Sequence, residues 1–187
     1  MPQSIINLSN AISGIEKWKK DRHLDTLEQR EGYLINVLEE LGELVLAYRE
    51  DDDDQIIDAL CDIFVFTINA YPTDFNKLHY TESAISNIRY HIHMLAKQVI
   101  SLSDVKTMSI FSQRMSAIYN TSFNIANILG YDFDKCLVET VKEISSRTGT
   151  YDSRSKKWIK DVTAAARAKW YKADYKSCKY KREVNMK

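Results

Sequence analysis

The sequence predicts an all-α protein, and three observations support this fold class. Five glycines and two prolines among 187 residues are few for a protein of strands and turns. Apolar side chains recur at helical spacing along most of the chain. The breaks in this pattern are short and carry helix-ending residues, namely the acidic run 51–54, Tyr71-Pro72 and Gly130. We therefore expect an antiparallel bundle of long helices.

The predicted helices follow one another with short connections. They lie near 4–22, 28–50, 54–71, 81–101, 104–129, 133–147 and 160–182. The aspartates at 51–54 form a solvated turn that also caps the third helix. Gly149 opens a loop from Thr148 to about Lys157. Without a repeat or a low-complexity linker, residues 1–187 are expected to form a single helical domain. Within it, 75–123 is interpreted as a two-helix insertion and 148–187 as a basic, aromatic C-terminal extension.

The composition restricts the location of the protein. No run of 18 apolar residues exists, so no membrane association is expected. The first ten residues lack a basic start, an apolar run and a cleavage site, so no secretory signal is predicted. The cysteines Cys61, Cys136 and Cys178 lie far apart, without metal or redox spacing. We therefore expect a cytoplasmic protein.

The charge is distributed unevenly although the net charge is zero. Residues 1–62 carry 15 Asp and Glu against 6 Lys and Arg, whereas residues 142–187 carry 14 Lys and Arg against 5 Asp and Glu. An acidic front can hold cations, and a basic tail can hold phosphates. Alternatively, the two ends attract each other, within one chain or between subunits.

The second predicted helix has two distinct faces. An apolar arc, expected to be core, carries Leu34, Val37, Leu38, Leu41, Leu44, Val45 and Tyr48. Another arc carries Asn36, Glu39, Glu40 and Glu43, and no Lys or Arg shares it. Like charges at spacings of three and four residues are unfavourable unless a positive charge lies between them. The arc is therefore either a cation site or a plain acidic surface.

The third predicted helix is apolar nearly all round and is expected to be buried. Asp58, Asp62 and Asn69 form a single polar stripe on it. Burying an aspartate pair is costly unless something neutralises it, and the helix itself offers no Lys or Arg. A divalent cation such as Mg²⁺ is a natural partner. A water-filled groove or a basic residue from elsewhere is the alternative.

Antiparallel packing of these two helices brings both acidic clusters face to face. Carboxylates around Mg²⁺ suit phosphate chemistry, because the metal offsets developing charge and lowers the pKa of an attacking water. A spare carboxylate can act as general base. A glycine-rich phosphate loop and a Glu-x-x-His pattern are both absent from the sequence, so P-loop and ferritin-like di-iron chemistry are not expected.

The segments EELGEL at 39–44 and IIDALCDIFVFTINA at 56–70 resemble the all-alpha NTP pyrophosphatase superfamily, in its MazG-like, phage-type branch. The family signature is EExxE followed one helix later by ExxD. Glu39, Glu40, Glu43 and Asp62 match it, but Ala59 stands where the signature has Glu. Segments 124–149 and 169–178 also resemble the family, so the resemblance covers about two thirds of the chain.

The resemblance implies hydrolysis of a nucleoside triphosphate to the monophosphate and pyrophosphate, in nucleotide-pool control. Glu40, Glu43 and Asp62 would hold Mg²⁺, which Mn²⁺ could replace, and Asp58 would take the place of the missing Glu. Glu39 would orient or deprotonate the attacking water. Asn36 and Asn69 would contact sugar or base, unless they form hydrogen bonds between helices. Family members are usually dimers or tetramers, so a homo-oligomer is expected.

The basic, aromatic extension has three possible roles. Arg147, Lys169 and Lys172 are predicted to contact the triphosphate. The same composition could bind single-stranded nucleic acid, in a protein that uses a degenerate MazG-like scaffold to bind nucleic acid or inhibit a partner. The simplest interpretation is that the aromatic rings pack on the core while the lysines stay solvated. A structural bundle that only binds metal is a further possibility.

Overall fold

A computed structural model describes residues 3–71, 78, 81–105, 107–155 and 157–180, and it confirms the all-α class. The helices are α1 (Gln3–Asp21), α2 (Thr26–Arg49), α3 (Asp53–Ala70), α4 (Ile88–Leu102), α5 (Met108–Ile128), α6 (Phe133–Ser146) and the short α7 (Ala164–Arg167). Two four-residue strands, β1 (Gly149–Asp152) and β2 (Lys157–Lys160), and a 3-10 turn at Tyr175–Cys178 complete the described part. No helix in these ranges has the length and hydropathy of a membrane span.

Aspartate caps begin three of the long helices. Asp25 accepts hydrogen bonds from the backbone of Leu27 and Glu28 at the start of α2. Asp52 caps α3 and Asp132 caps α6 in the same way. Each cap satisfies a backbone N–H that the helix itself leaves without a partner. The short acidic turn before α3 therefore fixes where α2 ends and where α3 begins.

The core is centred on α3. This helix packs along α2 and also contacts α1, α5 and α6, while α1 lies against α6 and α4 against α5. Most of its side chains are buried, among them Ile57, Phe64 and Ile68. The sequence explains this position, because a helix that is apolar nearly all round loses the most water-exposed apolar surface in the middle of a bundle. Asp58 and Asp62 are carried into the interior with it.

The expected core face of α2 is partly wrong. Val37, Leu41 and Leu44 are buried, and Leu34 and Tyr48 are half-buried. In contrast, Leu38 is 45% exposed and Val45 is 37% exposed. The apolar arc is wider than the surface that the neighbouring helices cover, so its far edge faces solvent.

The predicted helix at 160–182 is wrong. Within 160–180, the part of it that the structure describes, only α7 and the 3-10 turn are helical, and the remaining residues are extended or irregular. The backbone N–H groups of Ala173 and Asp174 donate to the carboxylates of Glu143 and Glu139 on α6, at 2.8 and 3.2 Å. Tyr171 N donates to Ser146 Oγ at 2.8 Å. These backbone N–H groups donate to side chains of α6 and not to the carbonyl oxygens of a local helix.

The loop predicted at 148–157 contains most of a β-hairpin. The strands pair antiparallel, with Gly149 opposite Lys160 and Tyr151 opposite Trp158. A Cβ atom at position 149 would lie 2.3 Å from the Ile159 carbonyl oxygen and 2.7 Å from Trp158 Nε1. The hairpin therefore needs glycine there so that the indole ring can lie against the opposite strand.

The region of the predicted insertion holds α4 and the greater part of α5, although its start at residue 75 lies outside the described residues. α4 begins at Ile88, seven residues later than predicted, and Asn87 caps it. Before it, the backbone N–H groups of Thr81 and Ser83 donate to the side chains of Asn120 and Asn124 on α5. These side-chain acceptors hold the segment extended along α5.

Candidate functional site

A pocket of about 320 Å³ lies between α2 and α3 on one side and α1, the end of α6 and the hairpin on the other. We call it the central pocket. Its lining consists of acids, cations, aromatic rings and amides: Trp18, Arg22, Gln29, Glu39, Glu40, Asp62, Val65, Phe66, Asn69, Ile144, Arg147, Trp158 and Lys160. Its volume is within the range of small-molecule sites in proteins.

The α2 and α3 wall of the central pocket is acidic. Glu39, Glu40 and Asp62 line it, as the sequence predicted when it placed both acidic clusters face to face. Burial, and then the nearby Asp62 carboxylate, raise the pKa of Glu40 to about 8. Burial, and then Asp58, raise the pKa of Asp62 to about 7. The two carboxyl groups thus sit where a second negative charge is unfavourable and a cation would be favourable.

Asp58 and Glu43 lie beside this wall without lining the pocket. Asp58 Oδ1 accepts a hydrogen bond from the Tyr175 hydroxyl at 2.7 Å. Burial raises the pKa of Asp58, and the hydrogen bond from Tyr175 opposes the rise. Glu43 is exposed on α2, and its charge contributes to the raised pKa of Glu40.

The carboxylates do not converge on a single point. In the described part of the chain, no group of three or more His, Cys, Asp or Glu side chains has an arrangement that could hold a metal ion. Their chemistry nevertheless fits a hard cation, because every donor in the cluster is a carboxylate oxygen. A change of side-chain rotamers in this cluster would be needed to bring them onto one ion.

The opposite wall carries the cations Arg22, Arg147 and Lys160. Arg147, a predicted phosphate ligand, donates to Glu143 Oε1 at 2.7 Å. Burial and then Arg147 lower the pKa of Lys160, while Asp62 and Glu40 oppose this shift. Lys160 therefore lies within electrostatic reach of both the cationic and the acidic wall.

Arg22 is a structural centre of the cationic wall. It is 7% exposed, and its guanidinium lies 5.0 Å from the ring centroids of both Trp18 and Trp158. Its Nη2 atom donates to the carbonyl oxygens of Ile144 and Arg147, at 3.0 and 2.8 Å. A cation at the end of α6 satisfies helix carbonyls and complements the helix dipole. Arg22 thereby joins α1, α6 and the hairpin around the pocket.

The two predicted asparagines lie in different places. Asn69 lines the central pocket, is 1% exposed, and its Oδ1 atom has no hydrogen-bond partner among the residues that the structure describes. A buried acceptor without a partner is unusual and suits a donor from a ligand or a water. Asn36 is half-buried on α2 and is not part of the pocket lining.

The predicted tail lysines lie away from the central pocket. Lys169 and Lys172 are exposed and do not line it, although the charge of Lys172 opposes the raised pKa of Asp58. Of the tail tyrosines, Tyr175 is buried and donates to Asp58, whereas Tyr171 and Tyr180 are exposed. The tail therefore packs on the bundle through Tyr175 and leaves these lysines in solvent.

The sequence reasoning missed Trp18, Arg22, Trp158 and Lys160 as pocket residues. Trp18 and Arg22 are four residues apart near the end of α1, a spacing that places an aromatic ring and a cation on one helix face. This spacing could have identified both residues as candidates from the sequence. Trp158 and Lys160 are two residues apart on β2 and so share a strand face. The sequence analysis predicted no strand here, so this shared face could not be deduced from the sequence.

Comparisons of the chain with protein-family models, with curated proteins and with solved structures gave no match. The pocket offers carboxylate oxygens on one wall, and cations with indole rings on the other. Such a pair of walls is suited to a ligand that combines a divalent cation, negative charge and a flat ring.

Proposed function

We propose that this protein is a Mg²⁺-dependent nucleoside triphosphate pyrophosphohydrolase and that the central pocket is its active site. The two oppositely charged walls are the observation that carries the proposal. A metal–triphosphate complex requires acidic groups toward the metal and basic groups toward the phosphates. The acidic helix pattern and its resemblance to the all-alpha NTP pyrophosphatases add support. The expected products are a nucleoside monophosphate and pyrophosphate.

Glu40, Glu43 and Asp62 would hold the metal, with Asp58 as a further ligand after release from Tyr175. Mg²⁺, or Mn²⁺ in its place, would neutralise phosphate charge and lower the pKa of the attacking water. The raised pKa values of Glu40 and Asp62 fit this role, because a cation between the two carboxyl groups relieves both burial and repulsion.

The chain's own groups then have separable tasks. Glu39, at the solvent-facing edge of the acidic wall, accepts a proton from the water as its oxygen bonds to the α-phosphorus. The bond from that phosphorus to the bridging oxygen breaks, and pyrophosphate leaves with the bonding electrons. Arg147 and Lys160 stabilise the negative charge on the phosphates. Asn69 Oδ1 accepts a hydrogen bond from the base or sugar.

The test is pyrophosphate release from a panel of ribo- and deoxyribonucleoside triphosphates, with Mg²⁺, with Mn²⁺ and with EDTA. We expect release with either metal, none in EDTA, and a loss of at least about 100-fold for Asp62→Asn and for Glu39→Gln. Glu50→Gln, an exposed acid at the end of α2, is the matched control and should keep wild-type rates. Absence of release from every substrate, or full activity of Asp62→Asn, contradicts the proposal.

One observation favours a second candidate, a nucleic-acid-binding protein: the exposed lysines at 169, 172 and 176 lie near the exposed Tyr171. The double variant Lys169→Glu/Lys172→Glu separates the two functions. Because both lysines lie outside the pocket lining, we expect hydrolysis to remain within about threefold of wild type. Single-strand binding that falls steeply with salt and disappears in this variant, in a protein without hydrolytic activity, favours the second candidate.

A further inference from the structure

The three cysteines, which are far apart in the sequence, lie close together in the fold. Cys61 comes from α3, Cys136 from the start of α6, and Cys178 from the 3-10 turn of the tail. All three are free thiols, buried in the same hydrophobic core. Cys61 lies within electrostatic reach of both other sulfur atoms. The spacing of the cysteines along the chain gives no sign of this cluster, because its members come from three separate elements.

Cys136 and Cys178 are in direct contact within this cluster. The backbone of Asp132 connects them: its N–H donates to the Cys178 carbonyl oxygen at 2.9 Å, and its carbonyl oxygen accepts from the Cys136 N–H at 3.1 Å. The side chains of the two cysteines also form a hydrogen bond with each other. A disulfide needs two side chains that point at each other across a short Cα separation. These contacts favour Cys136 and Cys178 as the pair that can form one.

Cys61 has a different partner. Its thiol forms a hydrogen bond with the side chain of Thr140 on α6. The Thr140 hydroxyl in turn is 3.0 Å from the hydroxyl of Tyr175. Cys61 is fully buried in the middle of α3, so an oxidant cannot reach it unless the bundle opens. We therefore expect Cys61 to remain a thiol when the other two cysteines react.

Cys178 is the more reactive member of the pair. The hydrogen bond with Cys136 lowers the pKa of Cys178, although burial opposes this shift. The same hydrogen bond, together with burial, raises the pKa of Cys136. The thiolate is the form that attacks an oxidant. Cys178 also lies in a single turn, between the exposed residues Ser177 and Lys179, where local opening costs less than in a long helix.

We propose that Cys136 and Cys178 are a peroxide-responsive pair that forms a disulfide and so attaches the tail covalently to α6. The Cys178 thiolate attacks one oxygen of hydrogen peroxide, the O–O bond breaks, and the products are a sulfenic acid and hydroxide. Cys136 then loses its proton, and its sulfur attacks the sulfenic sulfur and expels a second hydroxide. The protons from the two thiols convert both hydroxides to water. The two sulfur atoms are oxidised, and the peroxide is reduced.

The bridge would have a structural effect on the tail. It joins residues 42 positions apart and so restricts the unfolded chain, which stabilises the folded state. It would also hold the 3-10 turn in place, from which Tyr175 donates to Asp58. A bridge that forms under oxidation and is reversed by cellular thiols suits a reducing compartment. The inference concerns the thiols alone and is independent of the proposed enzymatic activity.

The first experiment identifies the bridge. The folded full chain is treated with hydrogen peroxide, the excess is removed with catalase, and the protein is then unfolded in iodoacetamide. We expect one alkylated cysteine, Cys61, and a peptide pair linked through Cys136 and Cys178, which dithiothreitol separates. Cys61→Ser is the matched control and should form the same bridge. Cys178→Ser should form no bridge within the chain.

The second experiment measures the attachment of the tail. Peroxide treatment of the wild type should raise the melting temperature by about 5 °C or more, and dithiothreitol should reverse the rise. Cys136→Ser, treated in the same way, should show no such rise. Three free thiols after treatment, oxygen added to sulfur without a bridge, a bridge that includes Cys61 or joins two chains, or a bridge without the rise overturns the inference. Each of these outcomes is read without measuring pyrophosphate release.

Discussion

Asp58 and Asp62, four residues apart on α3, have different surroundings although the sequence predicted one role for both. Asp62 lines the central pocket, whereas Asp58 is bound to the hydroxyl of Tyr175, 117 residues further along the chain. The sequence predicted a helix for the tail. No pattern around Asp58 indicates that the distant Tyr175 would donate to it. Asp58 therefore links the acidic cluster to the C-terminal extension through this hydrogen bond. It also contributes to the charge of the acidic cluster.

The first prediction at this scale concerns Tyr175→Phe. The substitution leaves the buried Asp58 carboxyl without its hydroxyl donor, so the free energy of unfolding should fall by about 1–3 kcal/mol. Tyr171→Phe is the control, because Tyr171 also donates to a carboxylate, Glu139, but is exposed. It should cost less than about 1 kcal/mol. Urea denaturation of both variants provides the measurement, and equal losses would contradict the prediction.

The second prediction concerns Glu40 in metal-free protein. Its pKa rises from 4.5 to about 8 on folding, so the folded state holds a proton that the unfolded state releases. The resulting stabilisation is complete below pH 4.5 and is lost as the pH rises through 8. In EDTA, we therefore expect the free energy of unfolding to decrease between pH 6 and 9.

Glu40→Gln should reduce the slope of the free energy of unfolding against pH without abolishing it. Asp62, with a pKa of about 7, contributes to this slope in the same direction. Glu50→Gln should leave the slope as it is in wild type. Denaturation midpoints at four or five pH values are sufficient. A free energy of unfolding that does not change with pH in the wild type would show that these carboxyl groups are already ionised in the folded protein.

At the scale of elements, helices with a continuous apolar pattern were predictable and the rest of the chain was not. α2 and α3 lie within a few residues of their predicted positions, because their caps and apolar stripes are encoded locally. The acidic wall of the pocket was predictable for the same reason. The hairpin and tail depend on distant partners, such as Glu139 and Glu143, which accept hydrogen bonds from the tail backbone. The hairpin's part of the cationic wall, Trp158 and Lys160, could therefore not be predicted from local patterns.

The third prediction tests the hairpin's share in the pocket. Gly149→Ala should displace the Trp158 ring, because the added methyl group would lie 2.7 Å from Nε1 and even closer to the Ile159 carbonyl oxygen. We expect a change in tryptophan fluorescence and a drop in hydrolysis of at least about tenfold. Gly32→Ala on α2 is the control, since its nearest contact would be at 3.7 Å. Unchanged fluorescence in Gly149→Ala would contradict the proposed packing.

At the scale of the whole molecule, the acidic front and the basic tail meet within one chain. Lys176 lies 3.8 Å from Asp54, and Lys179 lies 3.8 Å from Asp53. Both pairs are partly exposed and contribute little individually. The buried residues Tyr175 and Cys178 hold the tail more firmly. The uneven charge in the sequence thus corresponds in part to an attraction between the two ends of the protein.

The fourth prediction follows from this attachment. A chain ending at Lys160 keeps both walls of the central pocket but loses Ala166, Tyr175 and Cys178 from the buried set. The free energy of unfolding should fall by about 3–5 kcal/mol, the usual cost of deleting one large buried side chain. Thermal unfolding against Tyr175→Ala measures the share due to that ring. An unchanged melting temperature would show that the extension contributes nothing to the bundle.

The origin of the two pocket walls in distant parts of the sequence has a consequence for the order of biosynthesis. The acidic wall is complete once α3 has left the ribosome, whereas Arg147, Trp158 and Lys160 follow roughly 80 residues later. At about 5–20 residues per second, the carboxylates wait several seconds for these three side chains, although Arg22 of the cationic wall is already made. Until then, α3 lacks its cover from α6, and its apolar surface is open to chaperones. If the acids hold Mg²⁺ as proposed, the ion can bind the nascent chain before Arg147, Trp158 and Lys160 are made.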